Sequence, residues 1–104
     1  MNTVFKALAD PTRRRVLQLL HEGPMTAGEI ADRFDLSKPT MSGHFSVLRA
    51  ADLIVAEKQG TTITYSLKLS VLEDALLGFA QVFRIGEAAV PAPRAAEPEA
   101  GRAS

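Results

Sequence analysis

The stretch that most constrains this chain is Ser37-Lys38-Pro39-Thr40-Met41-Ser42-Gly43-His44-Phe45-Ser46-Val47-Leu48-Arg49. It reads as a short helix. Ser37 is suited to cap it, and Pro39 fits a first turn because it has no N–H to leave unpaired. Wound at ~100° per residue, the stretch puts Met41, Phe45 and Leu48 on one face, with His44 at its margin. Ser42, Gly43 and Ser46 fall on the opposite side, and Lys38 and Thr40 sit near the N-terminal end. One side is built for a core. The other is small, polar and slim enough for a narrow groove.

The flanking segments fix the setting. Val4, Phe5 and Leu8 form a short amphipathic turn or two. Asp10-Pro11-Thr12 is a helix start, with Asp10 as cap and Pro11 in the first helical position. That helix runs to about His21 with Val16, Leu17, Leu19 and Leu20 as its apolar face, and Glu22-Gly23-Pro24 ends it. Thr26 followed three residues later by Glu29 is a capping box, and Ile30, Ala31 and Phe34 continue at helical spacing. Asp35-Leu36-Ser37 is then a tight connection into the next helix. Two short helices so joined, the second opening with small polar residues, make a helix-turn-helix pattern.

Past Ala50-Ala51-Asp52 the period changes. Residues 53–58 and 62–67 are rich in β-branched side chains and flank Gln59-Gly60-Thr61, which predicts a β-hairpin. In its second strand Ile63, Tyr65 and Leu67 alternate with Thr62, Thr64 and Ser66. Ser70 is the expected cap of a last helix to about Arg84, striped by Leu72, Leu76, Phe79 and Phe83. The expected fold is α+β and mainly α: a winged helix-turn-helix of about five helices and a two-stranded hairpin wing. The domain spans residues 1–86. Residues 87–104, rich in Ala, Pro and Glu, cannot build a core and are expected to be a disordered tail.

Composition narrows the function. A chain of 104 residues holds one domain. It has no cysteine, which excludes disulfides, thiolate metal sites and thiol redox sensing. No apolar run approaches the ~18 residues of a membrane span, and the N-terminus carries no signal-peptide pattern; a cytoplasmic protein with no membrane insertion is expected. The formal net charge is zero, yet residues 1–72 hold nine Lys/Arg against seven Asp/Glu, and the remainder is acidic. Attraction to a duplex is therefore modest and must rely on placed contacts. No nucleophile, phosphate loop or carboxylate–histidine pairing appears, so an enzyme is not expected.

Three motifs carry a family resemblance: Ala-Leu-Ala-Asp-Pro-Thr-Arg-Arg-Arg-Val-Leu (7–17), Leu-Ser-Lys-Pro-Thr-Met-Ser-Gly-His-Phe-Ser-Val-Leu-Arg (36–49) and Ala-Asp-Leu-Ile-Val (51–55). Over residues 2–83 the chain resembles the ArsR/SmtB family of bacterial repressors, closest to its cysteine-free SdpR-like branch. The resemblance implies a homodimeric repressor on a pseudo-palindromic, double-stranded DNA operator, with autoregulation one arrangement. The residues support this separately. A helix after a tight turn fits a major groove ~12 Å wide. Candidate DNA contacts are Ser37, Lys38, Thr40, Ser42, Gly43, His44 and Ser46 on the reading helix, and Lys58, Gln59, Thr61 and Thr62 at the wing. Many relatives carry a long polar side chain at the position of Gly43, so either the backbone comes unusually close to DNA or readout shifts to Ser42, His44 and Ser46.

Pairing the terminal apolar stripes across a two-fold axis would bury Val4, Phe5, Leu8, Leu72, Leu76, Phe79 and Phe83, and would set two reading helices ~34 Å apart. Metal sensing, the family's best-known chemistry, is not expected and no cofactor is. Thr26 and Gly28 stand where relatives place cysteines, and the last helix has no histidine. The inducer would be a small molecule in the dimer cleft, a sequestering protein, or expression level alone. Arg13, Arg14 and Arg15 open a helix, where the macrodipole disfavours cations. They are either a solvated, salt-bridged face or a contact to phosphate or across the dimer. His44 is either a DNA contact or a half-buried ring bonded to backbone. A winged module that binds protein and not DNA is the competing reading, resting on the zero net charge and Gly43.

Overall fold

A computed structural model describes residues 2–86. The elements run α1 (Asn2–Leu8), α2 (Pro11–His21), β1 (Met25–Thr26), α3 (Ala27–Ala31), α4 (Lys38–Ala50), β2 (Ile54–Gln59), β3 (Thr62–Leu67) and α5 (Leu69–Phe83). The expected tail, 87–104, lies outside the described residues. The chain divides into two compact units, one up to Leu72 and one from Glu73 onward.

The first unit has the helix-turn-helix and wing. Its helices are set by their caps. The Asp10 carboxylate accepts the backbone N–H of Thr12 at 2.7 Å and of Arg13 at 3.2 Å. In the capping box, Glu29 N–H donates to Thr26 Oγ1 at 3.1 Å, and Thr26 N–H donates to Glu29 Oε1 at 2.9 Å. Val16, Leu17, Leu19 and Leu20 of α2 are all buried, as their spacing predicts. They share the core with Ile30, Met41, Leu48, Leu53 and Tyr65.

The sheet differs from the expected hairpin. It has three antiparallel strands in the order β1-β3-β2. Met25 pairs with Tyr65 and Thr26 with Thr64. Two residues show no periodicity, so the sequence cannot announce this strand. The capping box supplies it: an N-cap takes extended dihedrals, and Thr26 has φ −74° and ψ 158°. The residue that starts α3 therefore also ends an edge strand. The β2–β3 hairpin closes Gln59 on Thr62. Its two-residue loop begins with Gly60 at φ +61°, a conformation a side chain would resist.

The expected cap at Ser70 is also corrected. α5 begins at Leu69, because Val71 N–H already closes a turn on the Lys68 carbonyl at 3.1 Å. Ser70 lies inside that first turn.

Two helix ends use a left-handed residue that is not glycine. After α4, Asp52 has φ +60°, with Asp52 N–H on Arg49 O at 2.9 Å and Leu53 N–H on Leu48 O at 3.0 Å. This is the Schellman pattern, and it turns Leu53 into the core. Lys68 Nζ contacts the Asp52 carboxylate at 3.0 and 3.1 Å. In the second unit the same pattern ends α5, with Arg84 at φ +55° and Ile85 N–H on Ala80 O at 2.8 Å. The Phe79 and Phe83 rings there lie 4.9 Å apart, one helical turn from each other. Leu77, Val82 and Phe83 are exposed by 59%, 70% and 63%.

Asp52→Val should destabilise the protein by about 1–2 kcal/mol, because a β-branched side chain fits the left-handed region poorly. Asp52→Gly should be near neutral, relief of strain offsetting loss of an exposed ion pair. Urea unfolding measures both; equal effects of Val and Gly would contradict the conformational explanation.

Candidate nucleic-acid interface

The candidate reading face of α4 is built by burying the opposite face. Met41, Phe45 and Leu48 point into the core, and the Phe45 ring meets Tyr65 of β3 at a centroid distance of 4.7 Å, tilted by 33°. Burial pushes the Tyr65 phenol above its usual range, against the opposing charge of Arg49. Three large apolar side chains, each worth about 1.5–3 kcal/mol when buried, lock the rotation of the helix. Ser42, Gly43 and Ser46 are thereby exposed, as are Lys38 and Thr40 at the N-terminal end.

The start of α4 has its own hydrogen bonding. Thr40 N–H donates to Ser37 Oγ at 3.3 Å, and the Ser37 hydroxyl donates to Thr40 Oγ1 at 2.9 Å. Thr40 is thus tied to the cap and still exposes a hydroxyl that can donate or accept. Gly43 has no internal reason to be glycine. A Cβ built on it meets nothing within 4 Å.

The wing belongs to the same surface. Lys58, Gln59, Thr61 and Thr62 are exposed around the hairpin loop. A groove of about 260 Å³ between α3 and α4 is lined by Ala27, Gly28, Lys38 and Ser42, among others. A second groove, of about 290 Å³, is lined by Ala27, Gly28, Thr61 and Thr62 with two further residues. The two share the wall made by Ala27 and Gly28, so the start of α4 and the wing tip flank one edge of α3.

His44 behaves differently from its neighbours. It is half-buried, and its Nδ1 lies 3.3 Å from Arg13 Nη1. Arg13 also donates from Nε to Ala7 O at 2.8 Å and from Nη2 to Lys6 O at 2.9 Å. Arg14 Nη1 donates to Leu8 O at 2.7 Å, while Arg15 Nη1 reaches only Gln18 Oε1 at 3.3 Å. These arginines sit at the start of α2 in sequence, but Arg13 and Arg14 serve the end of α1. There the unpaired carbonyls of a helix C-terminus welcome cations. The signal available was the short spacing from residue 8 to residue 13.

Among the expected interface residues of the termini, Val4 is only 5% exposed in the single chain. Phe5, Leu8 and Leu72 are half-buried, and Leu76, Phe79 and Phe83 are exposed.

Together, a capped helix pair, a reading face backed by core and a three-stranded wing define a winged helix-turn-helix domain. A helix-turn-helix domain model matches residues 8–56. The chain is 50% identical over 76 residues to the transcriptional repressor SdpR of Bacillus subtilis, spanning 73% of this chain and 84% of that one. It is 39% identical over 97 residues to the HTH-type transcriptional regulator CmtR of Mycobacterium tuberculosis, covering 91% and 82%. The crystal structure of an ArsR family transcriptional regulator superposes with a TM-score of 0.75 at 35% identity, covering 83% of this chain and 94% of the other. The chain belongs to the ArsR/SmtB family of winged helix-turn-helix transcriptional repressors, on its SdpR-like branch. This is a class of DNA-binding regulators and not of enzymes.

Two outcomes follow from the local geometry. Gly43→Ala should raise stability by about 0.5–1 kcal/mol, since helix propensity improves and the space is open; a loss of stability in thermal unfolding would contradict this. The second concerns Asp10. Desolvation raises its pKa, but the backbone N–H bonds from Arg13 and Thr12, with the charges of His44 and Arg13, outweigh it and hold the carboxyl below its ordinary value of about 3.8. A folded pKa below the unfolded one adds stability above the unfolded value, and this is lost as pH falls through the folded value. Asp10→Asn should therefore flatten the acid limb of the stability–pH curve, measured by urea unfolding from neutral pH downward. An unchanged limb would contradict the assignment.

Proposed function

We propose that the protein is a homodimer that represses transcription by occupying a pseudo-palindromic promoter operator, with α4 of each protomer in successive major grooves. The observation that carries this reading is the exposed strip of Lys38, Thr40, Ser42, Gly43 and Ser46, backed by core and flanked by a polar wing. Ser37, Lys38 and the first backbone N–H groups of α4 suit a phosphate. Thr40, Ser42, His44 and Ser46 suit base edges. Lys58, Gln59, Thr61 and Thr62 suit the sugar-phosphate backbone beside the reading helix. The printed roles of the relatives, a transcriptional repressor and an arsenical resistance operon repressor, support repression as the output.

The dimer reading rests on α5. Leu76, Leu77, Phe79, Val82 and Phe83 are all exposed in the single chain, which is more apolar surface than one helix leaves bare in a soluble protomer without a partner.

The signal that lifts repression is not a metal in this reading. Thr26, at one of the positions where relatives carry cysteine, already uses its hydroxyl in the capping box. Gly28, at the other, has no donor. α5 contains no histidine. These residues do not fit a metal centre. A small molecule, a protein partner or expression level alone remains as the signal.

An anisotropy titration of the full chain against its own upstream DNA, at fixed moderate salt, should show tighter binding than to a scrambled duplex. Ser42→Glu should abolish that binding while leaving the unfolding curve intact, because a carboxylate then faces phosphates. Undiminished affinity would remove α4 from the interface. Leu76→Glu and Phe79→Glu should each give monomers by light scattering, and an unchanged dimer mass would refute the interface.

A further inference from the structure

The geometry points to Arg13 as a positioning residue that fixes the tautomer of His44, so that the ring presents Nε2–H as a donor to a hydrogen-bond acceptor on DNA. The inference deepens the reading-helix assignment and rests on it. It starts from the three bonds of one guanidinium: Nε to Ala7 O at 2.8 Å, Nη2 to Lys6 O at 2.9 Å, and Nη1 against His44 Nδ1 at 3.3 Å. Two bonds to the carbonyl end of α1 hold the fork in place, and the third nitrogen meets the ring.

A guanidinium carries only donors and keeps its proton at any pH a protein tolerates. Nδ1 is therefore the acceptor of that contact. A neutral imidazole has one proton, so it sits on Nε2. Among the described residues the hydrogen-bond partner of His44 is Arg13, at Nδ1; the Asp10 carboxylate of the α2 cap lies near enough to feel the ring when it is charged, and the ring is half-buried, not closed off. Nε2 lies across the ring from Nδ1, away from Arg13. His44 is one residue from Gly43, where a Cβ would meet nothing within 4 Å.

The chemistry this selects is one-sided. An Nε2–H donor serves a phosphate oxygen, guanine O6 or N7, adenine N7 or thymine O4. It cannot serve the amino group of cytosine. Without Arg13 the ring is free to take either tautomer, and the donor is no longer fixed at Nε2. Arg13 itself touches no DNA in this account; it acts through His44. This also resolves how recognition proceeds with no side chain at Gly43: a neighbouring ring with an assigned donor takes part of the load.

Long-range ¹H–¹⁵N correlation spectra of the full chain test the tautomer directly, at a pH well above the ordinary imidazole pKa of ~6.5. The account expects a pyridine-type shift at Nδ1 and a pyrrole-type shift at Nε2 of His44, averaging towards a mixture in Arg13→Met. A protonated Nδ1 in the unmodified chain would overturn it. Because Arg13→Met also loosens α1, two His44 variants give a second route. Glutamine places its amide nitrogen near Nε2, and asparagine reaches only to Nδ1. His44→Gln should keep operator affinity within about threefold, and His44→Asn should weaken it about tenfold or more. Asparagine binding as well as glutamine would overturn the donor role. Equal weakening on operator and scrambled duplex would assign the acceptor to phosphate, whereas weakening on the operator alone would assign it to a base. A wild-type chain without preference for its upstream DNA would overturn the reading-helix assignment and the role of Nε2 with it, while the nitrogen shifts would still judge the Arg13–His44 contact.

Discussion

Everything that α4 can do depends on the burial of Met41, Phe45 and Leu48. A helix of 13 residues is marginal on its own in water, and one carrying glycine, proline and three serine or threonine residues is worse than average. Tertiary contact supplies what propensity does not. The Phe45–Tyr65 contact ties the helix to the sheet, and Leu48 meets the same core as Leu53. Once the apolar face is fixed, the small polar face is fixed too. Small residues are affordable there because the helix does not need that face for its stability.

The second constraint is the handling of helix ends. In the first seventy residues nearly every element starts or stops at a specific hydrogen bond. Asp10 opens α2, Thr26 and Glu29 open α3, Ser37 opens α4, and Asp52 closes it. Arg13 and Arg14 bind the carbonyls that α1 leaves unpaired. Short helices make such ends a large share of the backbone, and an unsatisfied end would cost as much as a lost core contact. The same devices orient functional groups. The Ser37 cap holds the Thr40 hydroxyl beside it, and the arginine that closes α1 reaches His44.

How much of this was legible follows the same division. Caps written in side chains were readable: Asp10-Pro11, the Thr26–Glu29 box and Ser37 all work as their sequence suggests. The helical stripes and the hairpin were readable because their periods are strong. The strand at Met25–Thr26 was not, because two residues carry no period and its existence depends on a partner forty residues away. The left-handed residues Asp52 and Arg84 were hidden for another reason: glycine marks such positions, and here glycine is absent. The exposed candidates on α4 came from helical geometry, and those on the wing from the turn glycine between two strand-like runs. The Arg13–His44 contact did not, since it joins elements 31 residues apart and neither residue announces the other.

The central claim is that two copies of α4 read DNA one turn apart. Hydroxyl-radical footprinting of the full chain on its own upstream DNA tests it most directly. The account predicts two protected patches, symmetric about a centre and about 10 base pairs apart. Ser42→Glu should erase both patches together. A single unsymmetric patch, or protection that survives Ser42→Glu, would contradict it.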